Sequence, residues 1–238
     1  MSKTVIITRP KEYQARVVSV LQGRGYDVIS APLLEYVDRE PLNPNSESFD
    51  AFVFTSQHAL SYLDRAKIDL QTPVFTVGKR TAQVAQDFGF KKIYSAEGHV
   101  KKLKQQILEK MPLGSRLLHY CGQHRAENLQ DFWPQSEYHV TLNILYQTKY
   151  VTSLPDHILT LIHQRTEADI LFFSRRTAKS FVNLCQQHGV LLKIKALTAY
   201  CLSDNVAEPL KKLVLKHVRV AKYPQQKELI TLLRNSDI

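Results

Sequence analysis

The sequence predicts an α/β protein of two lobes, each a flavodoxin-like or Rossmann-like parallel sheet covered by helices on both faces. Three observations predict it. Short β-rich runs alternate with amphipathic helical windows along the chain, the pattern of parallel sheets clothed by helices. About ten strand candidates are too many for one compact sheet in 238 residues, and divide better into two sheets of about five. The chain also repeats itself. Shifted by 112, VIITRPKEYQARVVSVLQGRGYDV (5–28) lies over LLHYCGQHRAENLQDFWPQSEYHV (117–140), with Tyr26 on Tyr138. A shift of 119 brings FVFTSQHALSYL (52–63) onto LFFSRRTAKSFV (171–182), and a shift of 125 brings 77–96 onto 202–221.

The strand candidates follow in order. TVIIT (4–8) is β-branched throughout, and YDVISAPLLEYV (26–37) is a second, longer run. AFVFT (51–55), PVFTV (73–77) and RLLHY (116–120) are short and mostly apolar, and KKIYS (91–95) is a further short run. YHVTLNILYQTKYV (138–151) is again long, followed by DILFF (169–173), KIKALTAYCL (193–202) and HVRVA (217–221). Helical windows lie between them at 14–21, 57–65, 80–88, 127–132, 178–188 and 207–215. Gly23, Gly89 and Gly189 suit the left-handed position that closes a helix.

Two segments overrun a sheet strand at matching places of the repeat, APLLEYV (31–37) and LNILYQTKYV (142–151). They are expected to be extended connectors, near 31–38 and 143–151, between lobes. If they cross, residues 1–34 plus 152–238 form lobe one, residues 39–147 form an inserted lobe two, and a cleft lies between them. Ligands of open α/β sheets bind beyond the carboxyl ends of the strands, so the residues after each strand are the candidates. These are Arg9; Ser56 and His58; Gly78 and Thr81; Gly122, His124 and Arg125; Arg175 and Arg176; and Ser203. Each tip is expected to start a helix, whose unpaired N–H groups and positive dipole end suit an anion. The hydroxyls and guanidiniums suit carboxylates or phosphates. Ser56, Thr81 and Ser203 suit helix caps equally well. Tyr146, on the second connector, is a phenol able to assist loss of a leaving group, or a packed strand residue.

Several chemistries are absent from the sequence. No GxGxxG, GxxxxGK[ST] or GxSxG motif occurs, and no carboxylate pair stands at these strand ends. Three cysteines without a CxxC pair, and no His cluster, predict no metal and a reducing compartment. His119 falls within a strand and is expected to be packed. Lys and Arg number 32 against 22 Asp and Glu, a net charge of +10 spread along the chain. That balance favours an anionic small molecule over nucleic acid. No leader and no apolar run long enough for a bilayer are evident, so the expected protein is a cytoplasmic monomer with no membrane partner.

The ordered set VIITRP (5–10), FVFTSQHAL (52–60), TVGKRTA (76–82), YCGQHRAENL (120–129), Tyr146 and FFSRRTA (172–178) resembles uroporphyrinogen-III synthase over almost the whole chain. The resemblance implies a cofactor-free lyase of tetrapyrrole and haem biosynthesis. Such an enzyme closes hydroxymethylbilane to uroporphyrinogen III, losing water and inverting the last pyrrole ring through a spiro intermediate. It implies that Ser56 and Thr81 bind substrate carboxylates and that Tyr146 helps the hydroxyl depart. The chain departs from the family pattern in its second copy. Arg175-Arg176 stand at the second F-x-S-P turn, as if a hydroxyl were exchanged for guanidinium, and Val206 stands where Thr is usual. A two-lobed binding protein that closes on an anionic metabolite without chemistry fits the same residues. A nucleotide-sugar transferase fits less well, for want of length and of a glycine-rich loop.

Overall fold

A computed structural model describes residues 3–39, 48–97, 100–125, 128–134 and 137–234. The chain divides into two compact units, one of Met1–Glu35 with Lys149–Ile238 and one of Tyr36–Thr148.

The first unit holds a five-stranded parallel sheet: β1 (Thr4–Ile7), β2 (Asp27–Ser30), β9 (Ala168–Phe172), β10 (Leu197–Cys201) and β11 (His217–Val220). Its spatial order is β11-β10-β9-β1-β2. Renumbered within the unit and read from the β2 edge this is 2-1-3-4-5, the flavodoxin order. Every residue of β9 and β10 is buried, because helices cover both faces. Ile6, Ile170 and Phe172 face one layer, where α4 (Asp156–His163), α5 (Arg175–Gln187) and the four-residue α6 (Asp204–Ala207) pack. Val5, Ile7 and Leu171 face the other, against α1 (Ala15–Gln22) and α7 (Gln226–Arg234).

The second unit holds six strands: β3 (Leu34–Asp38), β4 (Ala51–Phe54), β5 (Val74–Thr76), β6 (Ile93–Ser95), β7 (Arg116–Gly122) and β8 (His139–Tyr150). Their order is β3-β8-β7-β4-β5-β6. Without β3, and read from the β6 edge, this is 3-2-1-4-5, one Rossmann arrangement. Phe52, Phe54, Leu118 and Tyr120 face α2 (Lys79–Phe88) and a 3₁₀ turn at Gln57–Tyr62, and Val53, Phe75 and Leu117 face α3 (Val100–Lys110). The two sheets correspond in strand order as β2-β1-β9-β10-β11 and β8-β7-β4-β5-β6, the correspondence that the three sequence shifts predict.

The structure corrects several expectations. The run at 26–37 is two strands in two sheets, β2 and β3. Arg39 N donates to Leu145 O at 2.9 Å and Val151 N to Leu33 O at 3.4 Å, so β3 and β8 run antiparallel. The second sheet is therefore mixed, with an antiparallel edge strand. The window at 207–215 is a 3₁₀ turn, Glu208–Leu210, following α6. Of the window at 127–132, residue 127 lies outside the described residues, and the remainder forms a 3₁₀ turn at Leu129–Asp131. Gly89 and Gly189 are left-handed as predicted, but Gly23 is not; in its place Gly25 takes a φ of 83°.

The second tip keeps its hydroxyl. Ser174 is the N-cap of α5, and its Oγ accepts from Thr177 N at 3.2 Å, as Ser56 Oγ accepts from His58 N at 3.2 Å. Arg175 follows the cap instead of replacing it. Ser174→Ala should cost about 1 kcal/mol in urea unfolding. Ser203→Ala should cost less than about 0.5 kcal/mol, since Ser203 stands at the start of α6 without a side-chain cap bond.

Candidate functional site

In an open α/β sheet the crevice forms where neighbouring strands lead their connections to opposite sides. In the first unit that point lies between β1 and β9. Thr8 is fully buried there and its Oγ1 donates to Leu171 O at 2.7 Å, tying the two strand ends together. Arg9 comes next. Its guanidinium lies 4.5 Å from the Phe173 ring and 5.7 Å from the Tyr13 ring, and Nη1 donates to Gln226 Oε1 at 2.8 Å. Arg175 is exposed and donates to Asn205 Oδ1 at 2.8 Å, while Arg176 sits 5.5 Å from the Tyr150 ring. Ser203 belongs to the β10 tip, and Val206 is buried in α6 as Thr81 is buried in α2.

In the second unit the corresponding point lies between β4 and β7. The strand β7 runs two residues past the predicted 116–120, so Gly122 ends the strand rather than opening a helix. A bulge follows: Cys121 pairs with Ile144 and Gly122 with Tyr146, which leaves Leu145 as the extra residue. Bulges re-aim side chains, and here two successive residues, Leu145 and Tyr146, join the same apolar layer. Gln123 N then donates to Tyr146 O at 2.8 Å. A Cβ on Gly122 would lie 2.5 Å from Tyr146 Cε2, 2.8 Å from Cζ and 3.1 Å from the phenol oxygen. The ring rests on the space that a side chain at 122 would fill.

Tyr146 is 6% exposed. Its ring meets Tyr36 edge-on at 5.1 Å, His58 edge-on at 4.6 Å and Tyr62 in a stack at 5.7 Å. Burial raises the phenol pKa above its usual value; a hydrogen bond with Ser56 opposes that, and Tyr36 and Cys121 add to it. The group is therefore a neutral O–H at pH 7, able to donate to a departing oxygen.

The remaining predicted residues divide. Gly78 is the N-cap of α2 at the neighbouring β5 tip, and Arg80 Nε donates to Gln57 Oε1 at 3.2 Å, joining that tip to the β4 tip. Arg125 turns back on its own loop, with Nη1 donating at 3.2 Å to the carbonyls of Gly122 and Gln123. His124 is exposed. Among the described residues between β7 and β8 no α-helix starts, so the anion-binding helix expected there is absent among them. His119 is packed as predicted, with Nε2 3.0 Å from Thr55 Oγ1.

A family model described as uroporphyrinogen-III synthase HemD matches residues 15–231. The chain belongs to the uroporphyrinogen-III synthase family. The porphyrin biosynthesis protein HemD of Ruminiclostridium josui is 22% identical over 232 residues, 90% of this chain and 45% of that protein. The chain thus spans less than half the length of the curated relatives it matches. Two solved structures share the fold: a uroporphyrinogen-III synthetase of Helicobacter pylori and a mutant uroporphyrinogen III synthase of Thermus thermophilus. The first gives a TM-score of 0.65 at 18% identity over 99% of this chain and 100% of that one. The second gives 0.54 at 12% identity over 99% and 98%.

Within this synthase family frame, the structure brings Ser56 and Gly122 each against Tyr146. Sequence reading missed Tyr36, Asp38 and Tyr62, which surround them, and Gln226, which holds Arg9. One signal was present: His58 and Tyr62 stand four apart on one turn. Among the described residues no three His, Cys, Asp or Glu side chains group as metal ligands, and no helix is long and apolar enough to cross a membrane.

Proposed function

We propose that the chain cyclises hydroxymethylbilane to uroporphyrinogen III, with loss of water and inversion of the last pyrrole ring. The family match over residues 15–231 carries this reading, and the buried neutral phenol of Tyr146 supplies the one donor the chemistry needs. The terminal C–O bond breaks and the hydroxyl leaves as water, taking a proton through its hydrogen bond with Tyr146. An azafulvene cation remains. That cationic carbon bonds to the substituted α-carbon of the last ring, giving the spiro intermediate. The older C–C bond at that α-carbon then breaks, and re-closure at the ring's free α-carbon forms the last C–C bond and releases one proton, which balances the one donated. The bilane also closes unaided without inversion, so folding the chain for the inverted route is the main contribution, a matter of positioning.

Arg9, Arg175 and Arg176, with the backbone N–H groups at the Gly78 and Ser203 tips, suit the acetate and propionate groups of the substrate. Ser56 divides its hydroxyl between the turn that it caps and the phenol. Arg125 acts on the β7 tip through the carbonyls it holds, and Thr81 is buried in the first turn of α2. We assign the protein to the cytoplasm, a reading supported by three buried free cysteines, and read it as a monomer.

The test is incubation with enzymatically generated bilane, oxidation and chromatography of the porphyrin isomers. Isomer III is expected; isomer I alone, at the unaided rate, would leave only a binding protein. Tyr146→Phe should lower kcat between about 10- and 100-fold, the low end of general-acid assistance, because the pyrrole already expels hydroxide well. Product affinity should stay within about twofold, since the lost contact belongs to the transition state.

A further inference from the structure

Around Tyr146 lies a chain of groups to which nothing above gives a function. The Tyr62 hydroxyl donates to Asp38 Oδ1 at 2.6 Å, a short bond to a charged acceptor. A hydroxyl has one proton, so toward His58 Nε2, 3.2 Å away, the Tyr62 oxygen can only accept. His58 therefore carries its proton on Nε2, and Asp38 fixes that tautomer through Tyr62. The plane of the imidazole is fixed independently, by a stack on Tyr36 with centroids 4.0 Å apart.

His58 held in this way touches the reacting group by two routes. Its ring abuts the Tyr146 ring at 4.6 Å and 77°. Its backbone N–H donates to Ser56 Oγ, and Ser56 in turn shares a hydrogen bond with the Tyr146 phenol. Gly122 leaves the opposite side of the ring open to close packing. A phenol on a strand keeps freedom about its side-chain torsions unless neighbours remove it, and donor placement matters at the scale of an ångström.

We propose that His58 is a positioning residue for Tyr146, held in one tautomer and one plane by Tyr62, Asp38 and Tyr36. This rests on the reading of Tyr146 as the proton donor of the cyclase. His58 touches the donor, so the contribution proposed for it passes through the Tyr146 hydroxyl. A double-mutant cycle reads that dependence directly.

His58→Phe keeps an aromatic ring and removes both nitrogens; Tyr62→Phe keeps the stack on Tyr146 and removes only the bridging hydroxyl. Each should lower kcat about tenfold with KM within about twofold, the signature of a misplaced group and not of lost binding. In a Tyr146→Phe background, either change should cost less than about twofold, because there is no longer a hydroxyl to position. Asp38→Ala should resemble Tyr62→Phe, and Asp38→Asn, which keeps an oxygen acceptor, should recover most of the loss. Urea midpoints measured alongside identify any variant whose fold has failed; Tyr62→Phe, which only removes an oxygen, keeps the cycle complete if His58→Phe is among them. Equal losses with and without the Tyr146 hydroxyl, or no loss in either background, overturn the proposal. Isomer I alone from the unchanged protein would remove the cyclase reading, and this proposal with it.

Discussion

Gly122→Ala is expected to lower turnover by about 10- to 100-fold, as much as removal of the Tyr146 hydroxyl, although it adds a single methyl group. The backbone at Gly122 is ordinary extended strand, so the substitution carries no conformational penalty of its own. The whole effect comes from the 2.5 and 2.8 Å approaches to Tyr146 Cε2 and Cζ, distances that real Cβ atoms do not adopt. Either the ring swings away or β7 moves. Tyr36, His58 and Tyr62 already occupy the other sides of the ring, so the displacement is shared among packed groups. Overpacking of this kind costs about 1–3 kcal/mol in stability. The ring carries the proposed donor, so a shift near an ångström accounts for the larger effect on rate. Gly78 supplies the contrast: a Cβ there meets nothing within 4 Å, and Gly78→Ala should cost no more than about 1 kcal/mol, as a weaker N-cap. Equal kcat for Gly122→Ala and the unchanged protein would show that the ring need not stay where it is.

The second large effect concerns acid. His119 is fully buried, and burial, reinforced by the Arg125 charge, pushes its pKa down from 6.5 to about 3. Among the described residues its Nδ1 has no hydrogen-bond partner, so nothing there compensates a second proton. The folded protein keeps the ring neutral while the unfolded chain protonates near pH 6.5, so the unfolded state binds more protons between those values. Stability is then complete above about pH 6.5 and falls as the pH drops toward 3, by at most about 1.4 kcal/mol per unit. Between pH 7 and pH 5 this one group should remove about 2 kcal/mol. Urea unfolding of the unchanged protein and of His119→Leu, at both pH values, isolates the effect, because the exposed histidines and the carboxylates cancel in the comparison. Parallel slopes for the two would mean that His119 does protonate in the folded state.

These residues also show what the sequence makes legible. Parallel strands buried on both faces read as unbroken apolar runs, so AFVF and DILF were plain, and the repeat shifts gave the correspondence between the sheets. His119 was readable as packed because it interrupts such a run without ending it. The end of β7 was not readable. Cys121-Gly122 looks like a turn, and the reason for a glycine there is a ring 24 residues further on. The group of Tyr36, His58, Tyr62 and Tyr146 draws on β3, a 3₁₀ turn and β8, and no local pattern announces a contact made across three elements. Ser174 escaped for a smaller reason. The caps of the two copies differ by one position in the shift that aligns their strands, and the arginine that follows drew attention from it.

The first sheet is completed only by returning to it: Val5 pairs with Asp169, whereas the β4–β7 pairings, such as Ala51 with Leu117, span far less chain. At equilibrium the longer closure costs only about 0.8 kcal/mol more, since the entropy grows with the logarithm of length. During synthesis the difference is one of time. At about 5–20 residues per second, β1 waits on the order of 10 seconds or more for β9, and in that interval every strand of the middle unit leaves the ribosome. The middle unit can therefore fold while its neighbour has only β1, α1 and β2. A growing chain has to shelter the apolar TVII segment, whose open edge is a template for the wrong strand, until its own partner is made.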